Sequence, residues 1–310
     1  MTIPRPAPPL RDAPWFDTDG YPFEARYLEV PTGPDGEPAR LHYLDEGSGP
    51  PLVIVGGTPG WSYEWRGVVR RLRDHFRVIV PDHLGMGPSD RHGDPAFPLS
   101  AHRRNLTALL AELGVERSHW IVHDFGGPIA LPTLVKETDR VDRLVIMNSW
   151  MWDFGSVQPS FERQRRFLGG RIMSWLYRNT NLSPGVLMRK ARGKGFPRTK
   201  AESRHFTRPF PNRHHRDQLH AFLRSLLEDG PALEVSWRSG APLRDTPTLL
   251  LWGMEDPLVI PEHLARWRTD LPDARVERLE GVGHFPHDEV PDRVGAIVED
   301  FLGVGSGEAR

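Results

Sequence analysis

The stretch that most constrains this chain is Trp120-Ile121-Val122-His123-Asp124-Phe125-Gly126-Gly127. Ile121 and Val122 close an apolar, strand-like run. Two glycines follow at once, and Pro128-Ile129-Ala130-Leu131 opens a helix. A strand, a sharp turn and a helix in eleven residues have the anatomy of a nucleophile elbow. There the reactive side chain sits on a strained turn, and small residues after it let strand and helix pack closely. Pro128 suits the first helical turn, where its missing N–H costs nothing. The apex residue is Asp124, where an esterase would carry Ser. Alone, Asp124 reads equally as a helix N-cap.

The rest of the chain repeats the alternation. Arg26–Val30 and Ala39–Leu44 alternate apolar and polar residues and read as a hairpin joined through Pro31-Thr-Gly-Pro-Asp-Gly. Leu52–Val55, Arg77–Val80 and Arg143–Asn148 are near-continuous apolar runs, as expected of strands covered on both faces. A helix is predicted over 100–113, with Gly114 stopping it. After Asn148 the rhythm stops. Residues 150 to about 235 offer no buried strand; Ser160–Tyr177 and His214–Leu227 are the best helices. The rhythm returns with a strand at 248–252, a helix at 261–269, a strand at 274–279 and a helix at 290–302. Strands alternating with helices predict a parallel sheet covered on both faces. The expected organisation is a Pro-rich segment 1–20, a first core part 21–149, a helical cap 150–235, and a second core part 236–310 with a frayed tail from Gly303.

Composition narrows the function classes. A net charge of −1 over 310 residues gives no global attraction to nucleic acid or to an anionic membrane. With no Cys, disulfide and thiolate chemistry are excluded. No apolar run approaches bilayer length, and the N-terminus lacks a signal-peptide core. The expectation is a cytoplasmic protein with a small-molecule substrate, no nucleic-acid or membrane partner, and a monomeric or homodimeric state. The arginines at 163, 165, 166, 171, 178, 189 and 192 read as a solvated face. His205, His214 and His215 read as surface histidines, and no metal or cofactor is expected.

Three residues at predicted strand ends carry complementary chemistry. Asp124 sits at the elbow. Asp256 follows the buried strand at 248–252, and His284 follows the last strand in Gly281-Val-Gly-His-Phe-Pro. Functional groups collect beyond the carboxyl ends of parallel strands. The order nucleophile, acid, histidine is that of a triad in this architecture.

These motifs, with Gly56-Gly-Thr-Pro and Pro81-Asp-His-Leu-Gly-Met-Gly-Pro-Ser-Asp, make the chain resemble an α/β-hydrolase of the haloalkane dehalogenase and epoxide hydrolase branch, from about Tyr21 to Leu302. The resemblance implies a mostly parallel eight-stranded sheet with helices on both faces and an inserted helical cap. It implies Asp124, His284 and Asp256 as triad, the backbone N–H groups of Thr58 and Phe125 as oxyanion hole, and an aspartyl ester as intermediate. Some relatives carry the acid after the strand at 143–147, where this chain has Asn148.

The halide-binding positions differ. Relatives place Trp after the nucleophile and Asn before the conserved Pro, or a Trp in the cap; here stand Phe125 and Thr58. Trp150 and Trp152, then Trp61 and Trp175, are candidate replacement donors, with lid packing as the alternative. Tyr177 is the only tyrosine of the expected cap, whereas epoxide hydrolases use two. Gly56 replaces the His of the usual His-Gly-x-Pro loop. Haloalkane dehalogenation leads; epoxide hydrolysis, β-lactone cleavage and a non-catalytic ligand-binding role are the alternatives.

Overall fold

A computed structural model describes residues 12–32, 37–91, 96–239, 243 and 245–304. Residues 1–11 of the Pro-rich segment, most of the hairpin connection and the last six residues of the expected tail lie outside the described residues. Eight strands form one sheet: β1 (Arg26–Val30), β2 (Ala39–Glu46), β3 (Pro51–Val55), β4 (Arg77–Pro81), β5 (Ser118–Asp124), β6 (Val141–Ser149), β7 (Thr248–Gly253) and β8 (Arg275–Leu279). Their order is β1-β2-β4-β3-β5-β6-β7-β8. β2 runs antiparallel to β1 and β4, and the other neighbours are parallel. Leu52–Val55, Ile121–Asp124 and all of β7 are buried, whereas the edge strands β1 and β8 are mostly exposed or half-buried. This explains the continuous apolar runs of the central strands.

Helices cover both faces of the sheet. Arg66–Leu72 packs on Pro291–Leu302, and Leu99–Glu112 packs on the elbow helix Gly126–Leu134. The chain reverses direction across the sheet between β3 and β5, and the crevice beyond their carboxyl ends is where such sheets place ligands. No helix among the described residues is long and apolar enough to cross a membrane.

Between β6 and β7 the chain is helical. The single helix predicted over 160–177 is two, Pro159–Leu168 and Arg171–Asn179, separated at Gly169-Gly170. Gly170 is extended at ψ 165°, which ends one helix and redirects the next. Sequence reading passed over helix Lys200–Thr207. Thr199 and Glu202 form its capping box, with each side chain bonded to the other's backbone N–H. Helix Gly230–Ser239 runs through position 235 and packs on the elbow helix.

Not all the insert's arginines face solvent. Arg163, Arg166, Arg171 and Arg189 are exposed, but Arg165 pairs with Asp153 and Glu162, and Arg178 with Asp217. Arg192 pairs with Asp288, a 2 % exposed carboxylate just past the last strand's loop. Arg198 and Arg66 reach the same carboxylate at 2.8 and 2.6 Å. Burial raises the Asp288 pKa, but the three guanidinium groups outweigh it and hold the carboxyl below its ordinary value. His205 is likewise buried, against the surface reading. It stacks on Tyr63 at 4.0 Å and accepts the Asp17 backbone N–H at 2.9 Å.

Asp288→Asn leaves buried guanidinium groups uncompensated, and a loss of about 3–5 kcal/mol in denaturant-unfolding free energy is expected at pH 7. Because the folded carboxyl is depressed, its contribution is present above the ordinary Asp pKa and lost as pH falls through the folded value. The wild-type and Asn stability curves therefore converge at low pH. Equal stability at pH 7 would show that the three ion pairs contribute nothing net.

Candidate active site

Five strand ends build the site. Asp124 ends β5 with φ +53°, a strained left-handed backbone that points its carboxylate out of the sheet. The neighbouring glycines are required sterically. A Cβ at Gly126 would lie 1.9 Å from the Val55 carbonyl oxygen, one at Gly127 2.1 Å from Ser149 Oγ, and one at Gly57 1.9 Å from Asp124 Oδ1. Ser149 Oγ donates to the Asp124 carbonyl at 2.7 Å and ties the elbow to β6.

The two carboxylate oxygens of Asp124 have separate environments. Oδ1 accepts the Thr58 backbone N–H at 3.1 Å, and the Phe125 backbone N–H also bonds the carboxylate. Oδ2 lies 3.2 Å from His284 Nε2. On its other side, His284 Nδ1 is 2.7 Å from Asp256 Oδ2. Asp256 Oδ1 accepts the Leu258 and Val259 backbone N–H groups at 2.7 and 3.0 Å, so the turn after β7 fixes its orientation. All three side chains are buried. Burial alone would raise the Asp124 pKa. The hydrogen bond and charge of His284, the nearby His123 and the Phe125 N–H outweigh it and keep the carboxyl below its ordinary value. Burial opposes charge on His284, yet Asp256 and Asp124 together raise its pKa.

The structure thus brings together Asp124, His284, Asp256, Thr58 and Phe125. It also gives Asn148 a place that sequence reading reduced to a missing acid. Its Nδ2 donates to Asp256 Oδ2 at 2.8 Å, and its Oδ1 accepts the Gly253 N–H at 2.9 Å. Two further residues were missed. Glu289 accepts the Gly283, Phe285 and Gly193 N–H groups, fastening the His284 loop to the insert. His284 N–H itself donates to the Ala191 carbonyl at 2.7 Å. A Glu five residues after a triad-type histidine is the only signal the sequence offered.

The candidate donors divide. Trp175 is 59 % exposed and lies outside the site. Trp152 is buried with its indole N–H on His263 Nδ1 at 3.0 Å, and Trp61 donates to the His205 carbonyl at 2.8 Å. Both N–H groups are committed, which removes them as leaving-group donors. Trp150 differs: it is buried, packs edge-on against Phe125 at 5.0 Å, and its indole N–H has no acceptor among the described residues. Phe222 closes on Phe125 from the insert at 4.9 Å. Tyr177 is half-buried; burial and then the Asp124 charge raise its phenol pKa. The Thr58 hydroxyl is turned to the Met86 sulfur at 3.9 Å.

Comparison with known proteins agrees with this fold. The family described as alpha/beta hydrolase fold matches residues 50–291. A protein named haloalkane dehalogenase 2 from Mycobacterium bovis is 30% identical over 288 residues, 92% of this chain and 97% of the relative. A cis-3-alkyl-4-alkyloxetan-2-one decarboxylase from Shewanella oneidensis is 30% identical over 85% of each chain. The crystal structure of haloalkane dehalogenase DbeA from Bradyrhizobium elkani superposes with a TM-score of 0.79 at 20% identity, covering 92% of this chain and all of that one.

The shared bonds of Asn148 and Asp256 generate a prediction. Asp256→Asn removes the carboxylate behind His284 and is expected to cut hydrolytic turnover by about 10³–10⁴. Adding Asn148→Asp to that variant returns a carboxylate next door, and at least a tenfold recovery is expected. A double variant no faster than Asp256→Asn would show that Asn148 lies out of reach of the imidazole.

Proposed function

The chain belongs to the α/β-hydrolase family, in its haloalkane dehalogenase-like branch, and from that premise we propose that it hydrolyses an electrophilic sp³ carbon through a covalent ester on Asp124. The leading substrate class is a small haloalkane, converted to alcohol and halide. The observation that carries the reading is the division of labour at the Asp124 carboxylate. One oxygen accepts the Thr58 backbone N–H, and the other stands against the imidazole of His284.

In the first step Asp124 Oδ2 attacks carbon, the carbon–halogen bond breaks, and the halide leaves with the bonding pair. Esterification removes the Asp124 charge. His284 then has only Asp256 to stabilise its proton, so its pKa falls and the proton leaves with the halide. The neutral imidazole next takes a proton from water, and the resulting hydroxide adds to the ester carbonyl. The developing oxyanion occupies the Oδ1 position, against Thr58 N–H and Phe125 N–H. Collapse returns the His284 proton to the departing alkoxide. The regenerated Asp124 carboxyl gives its own proton to His284, which restores the starting state.

Trp150 is the side chain best suited to hold the halide. Its uncommitted N–H lies beside Phe125, the residue standing where relatives carry their donor. One observation favours a second reading. Tyr177 has an O–H, and a phenol can protonate an oxygen leaving group whereas an indole does not. A strained ring such as a β-lactone or an epoxide would use it; the relative from Shewanella oneidensis carries an oxetanone in its name.

Incubation of His284→Ala with bromoalkanes, epoxides and β-lactones, followed by intact mass, tests both. A haloalkane adduct lacks the halogen, and a ring adduct retains every atom. An adduct abolished by Asp124→Ala is expected; an unmodified protein across the whole panel would remove the covalent mechanism. Trp150→Phe is expected to slow bromoalkane turnover by about 10²–10³, the typical cost of one preorganised donor. Trp61→Phe should change it little. Equal rates for Trp150→Phe and wild type would exclude Trp150 as the halide ligand.

A further inference from the structure

Behind the catalytic histidine lies a second polar cluster that the proposed reaction does not use. Glu64, His123 and His287 are 1 %, 1 % and 0 % exposed. One ligand-capable atom from each lies within 4.8 Å of the other two. Glu64 Oε1 is 3.5 Å from His287 Nε2, close to the separation of two ligands around a tetrahedral ion bound at about 2.0–2.1 Å. We propose that these three residues form a closed binding site for one transition-metal ion of the zinc type.

The hydrogen bonding points the same way. Glu64 Oε2, His123 Nδ1 and both ring nitrogens of His287 have no hydrogen-bond partner. A buried polar atom left unpaired costs about 1–3 kcal/mol, and each of the three residues carries at least one. The His123 tautomer follows from its other nitrogen. Nε2 lies 2.7 Å from the His284 carbonyl oxygen, which only accepts, so Nε2 carries the proton and Nδ1 keeps its lone pair. A ligating histidine that donates its second N–H to a carbonyl is the usual outer-shell arrangement at a metal. The His287 ring is held by stacking on Trp65 at 3.9 Å and 10°. Burial lowers the pKa of both imidazoles and raises that of the Glu64 carboxyl, so a cation bound here displaces the Glu64 proton.

The backbone makes room for the carboxylate. A Cβ at Gly60 would lie 2.1 Å from Glu64 Oε2, and one at Gly56 3.4 Å from Oε1. Gly56 stands where the resembling loop carries His, so the Glu64 carboxylate approaches the space that such a side chain would enter. Two imidazoles and one carboxylate favour Zn²⁺, Co²⁺ or Ni²⁺ over Mg²⁺ or Ca²⁺, which prefer all-oxygen cages. On binding, the ligand atoms draw inward by a few tenths of an ångström, and one coordination position is left for water. The ion has a structural consequence. Through His123 it fixes the main chain of His284, and through His287 the turn that carries Asp288. Glu64, His123 and His287 are positioning residues with respect to the triad.

The full-length chain, without a histidine tag, is expressed in zinc-supplemented and in cobalt-supplemented medium, and its metal content is measured. About one ion per chain is expected, with visible d–d absorption from tetrahedral cobalt. Glu64→Gln and His287→Gln, checked for native circular dichroism, should lose the ion and its absorption bands. Metal below about a tenth of an ion per chain from both media would overturn the proposal and leave a buried Glu–His pair in its place. Retention of the ion by either variant would also overturn it, by placing the metal elsewhere. Metal content and absorption read the site without reference to any substrate, so failure of the proposed hydrolysis leaves this test intact.

Discussion

The carboxylate of Asp124 is held from two sides, and the rest of the molecule is arranged to keep it so. The positive φ at the elbow lifts it from the end of the central strand. The Thr58 backbone N–H from the β3 loop holds one oxygen, and an imidazole from the far side of the sheet meets the other. Glycine at 57, 126 and 127 leaves room for the Asp124 carboxylate, the Val55 carbonyl and the Ser149 hydroxyl, respectively. The strain is stored locally and carried by the buried parallel strands β3, β5 and β6.

His284 depends on a longer chain of contacts. Its ring is fixed by Asp256, which is fixed by Asn148 and by two N–H groups of its own turn. Its main chain is fixed by Ala191 of the insert and by His123. Asp288 and Glu289 then clamp the same loop to the insert, one through Arg192 and Arg198, with Arg66 joining from the core, and the other through the Gly193 N–H, while Glu289 also holds the loop's own Gly283 and Phe285 N–H groups. The helical insert therefore roofs the site and also supports its base.

That dual duty separates chemistry from specificity. Asp124, His284, Asp256, Thr58 and Phe125 sit at or just past strand ends, where the sheet determines geometry. The residues that would meet a leaving group, Trp150 and Tyr177, come from β6's exit and from the insert, where side-chain packing determines geometry. The curated relatives described above carry names of different activities while each matches most of the chain.

Much of this was legible in the chain alone, because it is written in local rules. Alternating and continuous apolar runs reveal edge and central strands. Gly-Gly after Asp124 reveals a tight turn, and three reactive residues at strand ends reveal a site. What stayed hidden involves partners far apart in sequence. Four candidate tryptophans look alike as letters; only the fold shows that two indoles are already bonded, one is at the surface and one is free. Asn148 reads as an absent acid until Asp256 is placed beside it. Arg192, which reads as surface charge, proves to join Arg198 and Arg66 on the buried Asp288. Sequence set the backbone path and the residues standing at the strand ends, since each follows from near neighbours and hydrophobic periodicity. Tertiary structure decided which hydrogen-bond donors remain free, because that depends on what each side chain meets across the fold.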